Sequence, residues 1–161
     1  MLNPTTLDDA ARLLSAMQAQ GLTLATAESC TGGLIAAALT AIAGSSASVL
    51  GGFVVYSNAM KTAQLGVPEG VLEAVGAVSE AVARLMAEGA LARTGADIAV
   101  SCTGIAGPGG ATAGKPVGLV HMAVARRRGE TVHLERVFAG DRAAVRAGTV
   151  DAVLGLVRGI I

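Results

Sequence analysis

The sequence is poor in aromatic residues and carries no net charge. Only 2% of its 161 residues are Phe, Trp or Tyr, and tryptophan is absent. Lys plus Arg and Asp plus Glu both number 12, so no strong field would hold a nucleic-acid backbone or an anionic membrane. We therefore expect no nucleic-acid and no membrane partner, and instead a small molecule or another protein.

Long apolar runs and a cysteine framework are also missing. The longest mainly apolar run, residues 34–43, is about half of the ~20 residues that a bilayer-spanning helix needs. The first residues lack the basic-then-apolar layout of a signal peptide, so we expect a cytoplasmic protein. Cys30 and Cys102 are too few for a disulfide framework and show no metal-ligand spacing with the two histidines, so no metal site is expected.

Aliphatic residues are what the chain has in abundance. Hydrophobic residues make up 52% of the sequence and the mean hydropathy is +0.60, so the core is built from Ala, Val, Leu and Ile. Periodicity alternates between helical and strand spacing along the chain. The predicted helices cover residues 5–20, 31–43, 58–65, 79–93 and 141–158. The predicted strands cover residues 22–27, 53–56, 97–102, 117–126 and 131–138, the last two as a hairpin.

The order of these elements predicts the fold class. We expect one α/β domain over residues 1–161, layered α/β/α, with a mixed, mostly parallel sheet and a late antiparallel hairpin. The sequence has no internal repeat and no linker long enough to divide it into domains.

The densest polar stretch is TLATAESCTGG at residues 23–33, where a predicted strand passes into a helix. Ligands of open α/β sheets collect at such strand ends, beside helix N-termini with free N–H groups. Ser29 and Thr31 offer hydroxyls there, and Glu28 supplies a charge. Gly32 and Gly33 allow a ligand to approach the backbone closely. The same pattern equally fits plain N-capping of the helix by Ser29 or Thr31.

A second cluster, YSNAMK, lies at the end of the next predicted strand. Lys61 follows Asn58 by three residues, so both can face the strand-end crevice. A desolvated lysine with a lowered pKa can take a proton from a serine hydroxyl, and the nearby Tyr56 can relay it. The alternative is a surface lysine on a helix, which is far commoner. Pairing of Lys61 with Ser29 would decide for catalysis.

The third cluster is SCTGIAGPGG at residues 101–110, and its glycine-rich loop could wrap an anion with main-chain N–H groups. It matches neither GxxxxGK[ST] nor GxGxxG, so no nucleoside-triphosphate or dinucleotide fingerprint is present. Lys115, Arg142 and Arg146 add cations that either hold a phosphate or are simply solvated. His121 and His133 fit core or surface positions better than catalysis. A serine enzyme would therefore use lysine as its base.

Six motifs taken together resemble one known family. In order and spacing, TAESCTGG, GFVVYSNAMK, AVSEAV, SCTGIAGPGG, KPVGLV and FAGDRAAVR resemble the C-terminal domain family of the competence/damage-inducible protein CinA. The resemblance runs from about residue 6 to 158. With nothing ahead of the domain, the chain looks like the stand-alone members, which hydrolyse nicotinamide mononucleotide to nicotinate mononucleotide and ammonia in pyridine-nucleotide recycling.

The resemblance implies a serine amidohydrolase that uses neither metal nor cofactor. Ser29 matches the nucleophile and Lys61 the base, with Tyr56 as the partner in proton transfer. Backbone N–H groups at residues 30–33, or the Thr103 hydroxyl, could stabilise the oxyanion. Cys30 is a rival nucleophile, because a thiolate is intrinsically stronger. The expected substrate-binding residues are Glu28, Thr31, Gly32, Gly33, Asn58, Thr103, Gly104, Gly107 and Arg142.

Two other functions stay open at this point. One is a nucleotide-binding or regulatory module that uses the same crevice without turnover, and the other is an amidase that acts on a different carboxamide. Alanine-rich helices with few aromatics also indicate that some apolar faces meet another copy, so we expect a homo-oligomer. Intact Ser29, Tyr56 and Lys61 favour the enzyme, because a pure binder needs no lysine beside a serine.

Overall fold

The computed structural model describes residues 2–161 as one α/β domain with helices on both faces of a five-stranded sheet. The strands are β1 (Leu24–Glu28), β2 (Val49–Val54), β3 (Ile98–Gly104), β4 (Leu119–Arg126) and β5 (Val132–Val137). The helices are α1 (Pro4–Ala19), α2 (Leu34–Thr40), α3 (Asn58–Leu65), α4 (Glu69–Val75), α5 (Glu80–Thr94) and α6 (Arg142–Arg158), with a 3-10 turn at Ser45–Ala47. This confirms the predicted fold class.

The sheet order is β2-β1-β3-β4-β5. β1 pairs parallel with both β2 and β3, and β4 and β5 then add antiparallel as the predicted hairpin. Four of the five strands consequently run in one direction, and only β4 runs the other way. Every residue of β1 is buried, as expected for a central strand covered on both faces.

Two apolar cores lie on opposite sides of the sheet. On one side α1, α2 and α6 contact each other and cover the larger core, which contains Leu14, Met17, Ile35 and Val153. On the other side α3, α4 and α5 cover a smaller core around Val55 and the long helix α5. None of the helices within residues 2–161 combines the length and apolar content that crossing a bilayer requires.

The structure differs from the sequence predictions at three elements. Strand β2 spans Val49–Val54 rather than residues 53–56, because pairing with β1 draws in a glycine-containing stretch of low intrinsic strand propensity. Helix α2 begins at Leu34 rather than at residue 31, because a turn precedes it. The short helix α4 (Glu69–Val75) was not predicted at all; it starts directly after Pro68 and packs against α3 and α5.

Gly52 lets the edge strand lie close to β1. A Cβ at this position would come within 2.0 Å of the Thr26 Oγ1 atom on β1. We expect Gly52→Ala to lower the free energy of unfolding by about 1–3 kcal/mol, because Thr26 is buried and has little room to move.

Gly155 is the matched control for that substitution. It lies in α6, has ordinary helical φ, and has no atom near the site of an added Cβ. Gly155→Ala should therefore raise stability, by about 0.5–1 kcal/mol. Urea denaturation of both variants checks the pair, and equal effects of the same sign would contradict it.

Candidate active site

The candidate site is built around the turn that follows β1. This turn, residues 29–33, ends at Gly33, which adopts φ 98° as the N-cap residue of α2 and offers no side chain to cap the helix. Neither Ser29 nor Thr31 caps α2, so the capping alternative is wrong for both. Their side chains are directed elsewhere, and the turn keeps Ser29 at the end of the strand.

Glu28 performs the capping instead. Its carboxylate accepts hydrogen bonds from the N–H groups of Gly33 (3.0 Å), Ile35 (3.0 Å) and Ala36 (2.8 Å), and from the Thr31 hydroxyl (2.6 Å). The side chain is fully buried. A negative carboxylate at a helix N-terminus is favourable, since the exposed N–H groups carry partial positive charge. Glu28 thereby joins β1, the turn and α2 into one unit.

Lys61 lies directly against Ser29. Its Nζ atom is 3.1 Å from the Ser29 Oγ atom and also donates to the carbonyl oxygens of Val55 (3.0 Å) and Tyr56 (3.4 Å). Lys61 is only 1% exposed, so the surface-lysine alternative is wrong. Its helix begins at Asn58 and is capped by the Ser57 hydroxyl, which accepts from the Met60 N–H at 3.2 Å.

Burial changes the acid–base character of this amine. Removal of water from the Lys61 side chain lowers its pKa below the ordinary 10.5, and the neighbouring thiols of Cys30 and Cys102 offset this shift only in part. A larger fraction of the amine is therefore neutral near physiological pH. A neutral amine hydrogen-bonded to a hydroxyl is the arrangement a serine nucleophile needs.

The Ser29 backbone is itself anchored. Its N–H donates to the carbonyl oxygen of Cys102 on β3 at 3.1 Å, and the residue is 8% exposed. Within the turn, the N–H of Gly32 is used by Ser29 O and the N–H of Gly33 by Glu28. Among the described residues, the N–H groups of Cys30 and Thr31 have no main-chain acceptor. These two donors directly follow the Ser29 hydroxyl in the chain.

Arg142 forms the rim of the crevice at the start of α6. Its Nη1 atom donates to the Gly107 carbonyl at 3.1 Å, and its Nη2 atom donates to the Tyr56 hydroxyl at 2.8 Å. Tyr56 is 58% exposed, and its hydroxyl makes no hydrogen bond to Ser29 or Lys61 in residues 2–161. The structure thus brings Tyr56, Gly107 and Arg142 together at the entrance. Of the polar groups of Tyr56, the main-chain carbonyl contacts the Lys61 amine and the hydroxyl does not.

Two predicted hydroxyl ligands are already used inside the protein. The Thr31 hydroxyl, which is fully buried, donates to Glu28 and lies 3.0 Å from the Cys102 Sγ atom. The Thr103 hydroxyl donates to the Ala77 carbonyl at 2.8 Å and is 1% exposed. Both hydroxyls therefore already donate to acceptors within the protein.

The predicted glycines have different surroundings. Gly104 allows β4 to approach β3, because a Cβ there would meet the Leu119 carbonyl oxygen at 2.7 Å. Gly107 has φ 83°, and a Cβ would come within 2.6 Å of the Val117 side chain. Gly32, by contrast, is exposed on the turn. Asn58 is exposed at the start of α3.

Arg146, which the sequence offered as a cation that either holds a phosphate or is solvated, contacts the turn from α6. Its Nη2 atom donates to the Thr31 carbonyl at 2.7 Å, next to the turn's exposed Gly32. The available signal was its spacing of four residues from Arg142, which places both guanidinium groups on one face of α6.

The two cysteines lie behind the nucleophile, and both are free and buried. A hydrogen bond to Cys102, together with burial, raises the pKa of the Cys30 thiol well above its usual value. This disfavours the thiolate that a cysteine nucleophile requires. The two histidines lie outside this site, on β4 and β5. There His121 Nδ1 and His133 Nε2 are 3.0 Å from each other. Burial lowers the pKa of both histidines.

Comparison with known proteins identifies the family. The profile of the family described as the CinA C-terminal domain matches residues 7–161. The chain belongs to this family. The matched residues include the turn that carries Ser29, the buried Lys61, and Arg142 at the start of α6.

Relatives in this family are of two lengths. The chain is 54% identical over 132 residues to the nicotinamide-nucleotide amidohydrolase PncC of Enterobacter agglomerans, covering 82% of this chain and 80% of that protein. It is 59% identical over 115 residues to a CinA-like protein of Chlorobium phaeovibrioides, covering 71% of this chain and 27% of that protein. Against the CinA-like relatives the chain thus spans only about a third of their length.

Solved structures of the family share the fold closely. The competence/damage inducible protein CihA of Agrobacterium tumefaciens is 48% identical with a TM-score of 0.96, covering 99% of this chain and 97% of that one. A CinA superfamily protein of Escherichia coli is 36% identical with a TM-score of 0.93, covering all of this chain and 94% of that one.

Replacing Glu28 tests its role in holding the turn. Glu28→Gln keeps the shape but presents an NH₂ group to main-chain N–H donors, so at least one buried donor loses its acceptor. We expect the free energy of unfolding to fall by about 1–3 kcal/mol. Thermal and urea denaturation measure the loss. Glu135→Gln on β5, where the carboxylate is exposed, is the control and should change stability little.

Replacing Lys61 tests the desolvated amine through stability. Because the folded-state pKa of Lys61 lies below 10.5, the unfolded chain binds more protons in the window between the two values. Raising the pH through that window should therefore stabilise the parent relative to Lys61→Met. Melting temperatures of both proteins from neutral pH to about pH 10.5 would show it. Parallel curves would contradict a lowered pKa.

Proposed function

We propose that the chain is a nicotinamide-nucleotide amidohydrolase that uses Ser29 as nucleophile and Lys61 as base. The observation that carries the proposal is the buried 3.1 Å contact between Lys61 Nζ and Ser29 Oγ. The substrate assignment is supported by the 54% identical relative named nicotinamide-nucleotide amidohydrolase, of which the chain covers 80%. The reaction class is hydrolysis of a carboxamide C–N bond.

The first half-reaction begins with proton transfer from the Ser29 hydroxyl to the neutral Lys61 amine. Ser29 Oγ then attacks the carboxamide carbon and forms a tetrahedral intermediate with a negative oxygen. Two main-chain donors without main-chain acceptors, the N–H groups of Cys30 and Thr31, are suited to stabilise that oxygen. The Lys61 ammonium returns its proton to the departing nitrogen, and ammonia leaves.

The second half-reaction regenerates the serine. A water molecule attacks the acyl carbon while Lys61 accepts its proton, and collapse of the second intermediate releases the carboxylic acid. Lys61 then returns the proton to Ser29 Oγ. Three contacts hold the amine in place for both steps: the carbonyl oxygens of Val55 and Tyr56, and Ser29 itself. The proposed steps use Ser29, Lys61, main-chain N–H groups and water.

The nucleotide portion is proposed to lie at the rim. Arg142 contacts both the Tyr56 hydroxyl and the Gly107 carbonyl, so a phosphate at the entrance would meet a cation, a phenol and the glycine-rich loop. The helix α2 N-terminus is less suited to bind the phosphate, because Glu28 already occupies its N–H groups. We therefore propose that Tyr56 orients the substrate. The proton relay through its hydroxyl, expected from the sequence, stays a prediction. A cytoplasmic location and a single functional domain over residues 1–161 also stay predictions.

A non-catalytic nucleotide-binding module is the alternative function. Burying an ammonium in the interior costs stability. A module that only binds nucleotide gains nothing from a buried amine beside a hydroxyl that would offset this cost. Release of ammonia from nicotinamide mononucleotide by the purified chain separates the two. Assays with other carboxamides would show how far the site depends on the nucleotide.

Substitution of the proposed nucleophile tests the mechanism directly. Ser29→Ala and Lys61→Met should each lower kcat for ammonia release by several orders of magnitude, because each removes an essential part of one chemical unit. Cys30→Ala keeps the main-chain N–H and should retain activity within a few-fold of the parent. The parent's kcat/KM should rise with pH through a value below 10.5, as Lys61 becomes neutral. Activity that survives Ser29→Ala but not Cys30→Ala would reverse the assignment.

A further inference from the structure

Helix α6 directs two arginines, one turn apart, to different parts of the site. Arg142 contacts the Tyr56 hydroxyl and the Gly107 carbonyl at the rim. Arg146 instead donates from Nη2 to the carbonyl oxygen of Thr31, at 2.7 Å, in the turn that follows β1. The two side chains share one face of the helix, but their partners indicate different roles.

The contact with Arg146 completes the fixation of Thr31. The Thr31 hydroxyl donates to the Glu28 carboxylate at 2.6 Å, and the residue is fully buried. Its carbonyl oxygen accepts from Arg146. Its third polar group, the N–H, has no main-chain acceptor within residues 2–161. Two of the three polar groups thus hold the residue in place, and the third is a donor suited to an oxyanion.

The peptide group after Thr31 is held at both ends. Its oxygen accepts from Arg146, and its N–H, which belongs to Gly32, donates to the Ser29 carbonyl at 3.1 Å. Gly32 and Gly33 have φ angles of 60° and 98°, and glycine has no side chain to restrict the neighbouring peptide planes. Without Arg146, only one hydrogen bond would set the orientation of this peptide. Arg146 therefore limits the freedom that the two glycines give to the turn.

Arg146 also carries a cost for folding. Its Nε atom is buried and has no hydrogen-bond partner within residues 2–161. An unpaired buried donor is unfavourable, and more so on a charged group. Costs of this kind are typical of sites where activity requires a fixed arrangement.

We propose that Arg146 is a positioning residue for the amidase reaction: through the Thr31 carbonyl, it holds the Thr31 N–H toward the negative oxygen of the tetrahedral intermediate. The inference rests on the proposed function and assigns Arg146 no contact with the substrate. Because the Thr31 N–H matters most when charge develops on the oxygen, Arg146 contributes to the chemical step and little to substrate binding.

The first test separates the chemical step from binding. Arg146→Met removes the charge and the donors while keeping an unbranched side chain. Its kcat for ammonia release from nicotinamide mononucleotide should fall about 100-fold, the low end of the loss expected on removal of an oxyanion donor. Its KM should stay within about threefold of the parent value. Arg146→Lys keeps a cationic donor and should recover kcat to within about tenfold of the parent.

Arg158→Met is the matched control on the same helix. Arg158 pairs with Asp9 at 3.0 Å, and its replacement should leave kcat and KM unchanged. Thermal melting distinguishes a kinetic loss from a loss of folding. Arg146→Met should melt within about 3 °C of the parent, because removal of the unpaired Nε offsets part of the lost hydrogen bond. The pH midpoint of kcat/KM should also be that of the parent, since the hydrogen bonds of the Lys61 amine do not involve Arg146.

The contrary outcomes are distinct from one another. A parent that releases no ammonia overturns the proposed function, and this inference falls with it. With an active parent, a raised KM at unchanged kcat would make Arg146 a substrate-binding residue and overturn the inference. So would unchanged kinetics, a shifted pH midpoint, or a kcat loss that accompanies a much lower melting temperature and that lysine does not recover. If Arg146→Met fails to fold, Arg146→Gln, which keeps a donor without the charge, is judged by the same division between kcat and KM.

Discussion

The site depends on one amine held away from water. Lys61 has three oxygen partners and almost no exposed surface, so its ammonium form loses hydration that the Val55 and Tyr56 carbonyls and the Ser29 hydroxyl replace only in part. Such a group is costly to bury when charged. That cost is what lowers its pKa, and it is also what makes the neighbouring hydroxyl reactive under the proposed mechanism. Stability and chemistry therefore oppose each other at this residue.

One carboxylate and one main-chain carbonyl, each accepting from main-chain N–H groups, fix the turn that carries the Ser29 hydroxyl beside the amine. On one side Glu28 binds the first N–H groups of α2 and so holds the turn; on the other, the Cys102 carbonyl binds the Ser29 N–H. Arg146 reaches the same turn from α6 and binds the Thr31 carbonyl. Three separate elements thus converge on five residues, which explains how a turn can position a side chain as firmly as a strand does.

Local patterns in the sequence were sufficient for the layered fold and for the strand-end location of Ser29 and Lys61. They were insufficient for the contact between these two residues, which are 32 positions apart and meet only through the parallel pairing of β1 with β2. The role of Glu28 could not be predicted from the sequence either. An acidic residue ahead of a glycine pair gives the same pattern whether its carboxylate binds a ligand or the first N–H groups of a helix. The start of β2 was predicted at residue 53 instead of Val49, because Gly51 and Gly52 have low strand propensity. Helix α4 was missed because seven residues that include a glycine give little helical periodicity.

The chain contains only two lysines, and the structure treats them very differently. Lys61 is enclosed, whereas Lys115 lies in the loop before β4 with its amine on the Val75 carbonyl near the surface. Bulky acylating labels and coupling resins will accordingly meet Lys115 among the side-chain amines and leave Lys61 untouched. Fluorophores or solid supports can in this way be attached to the folded protein at a single defined side chain.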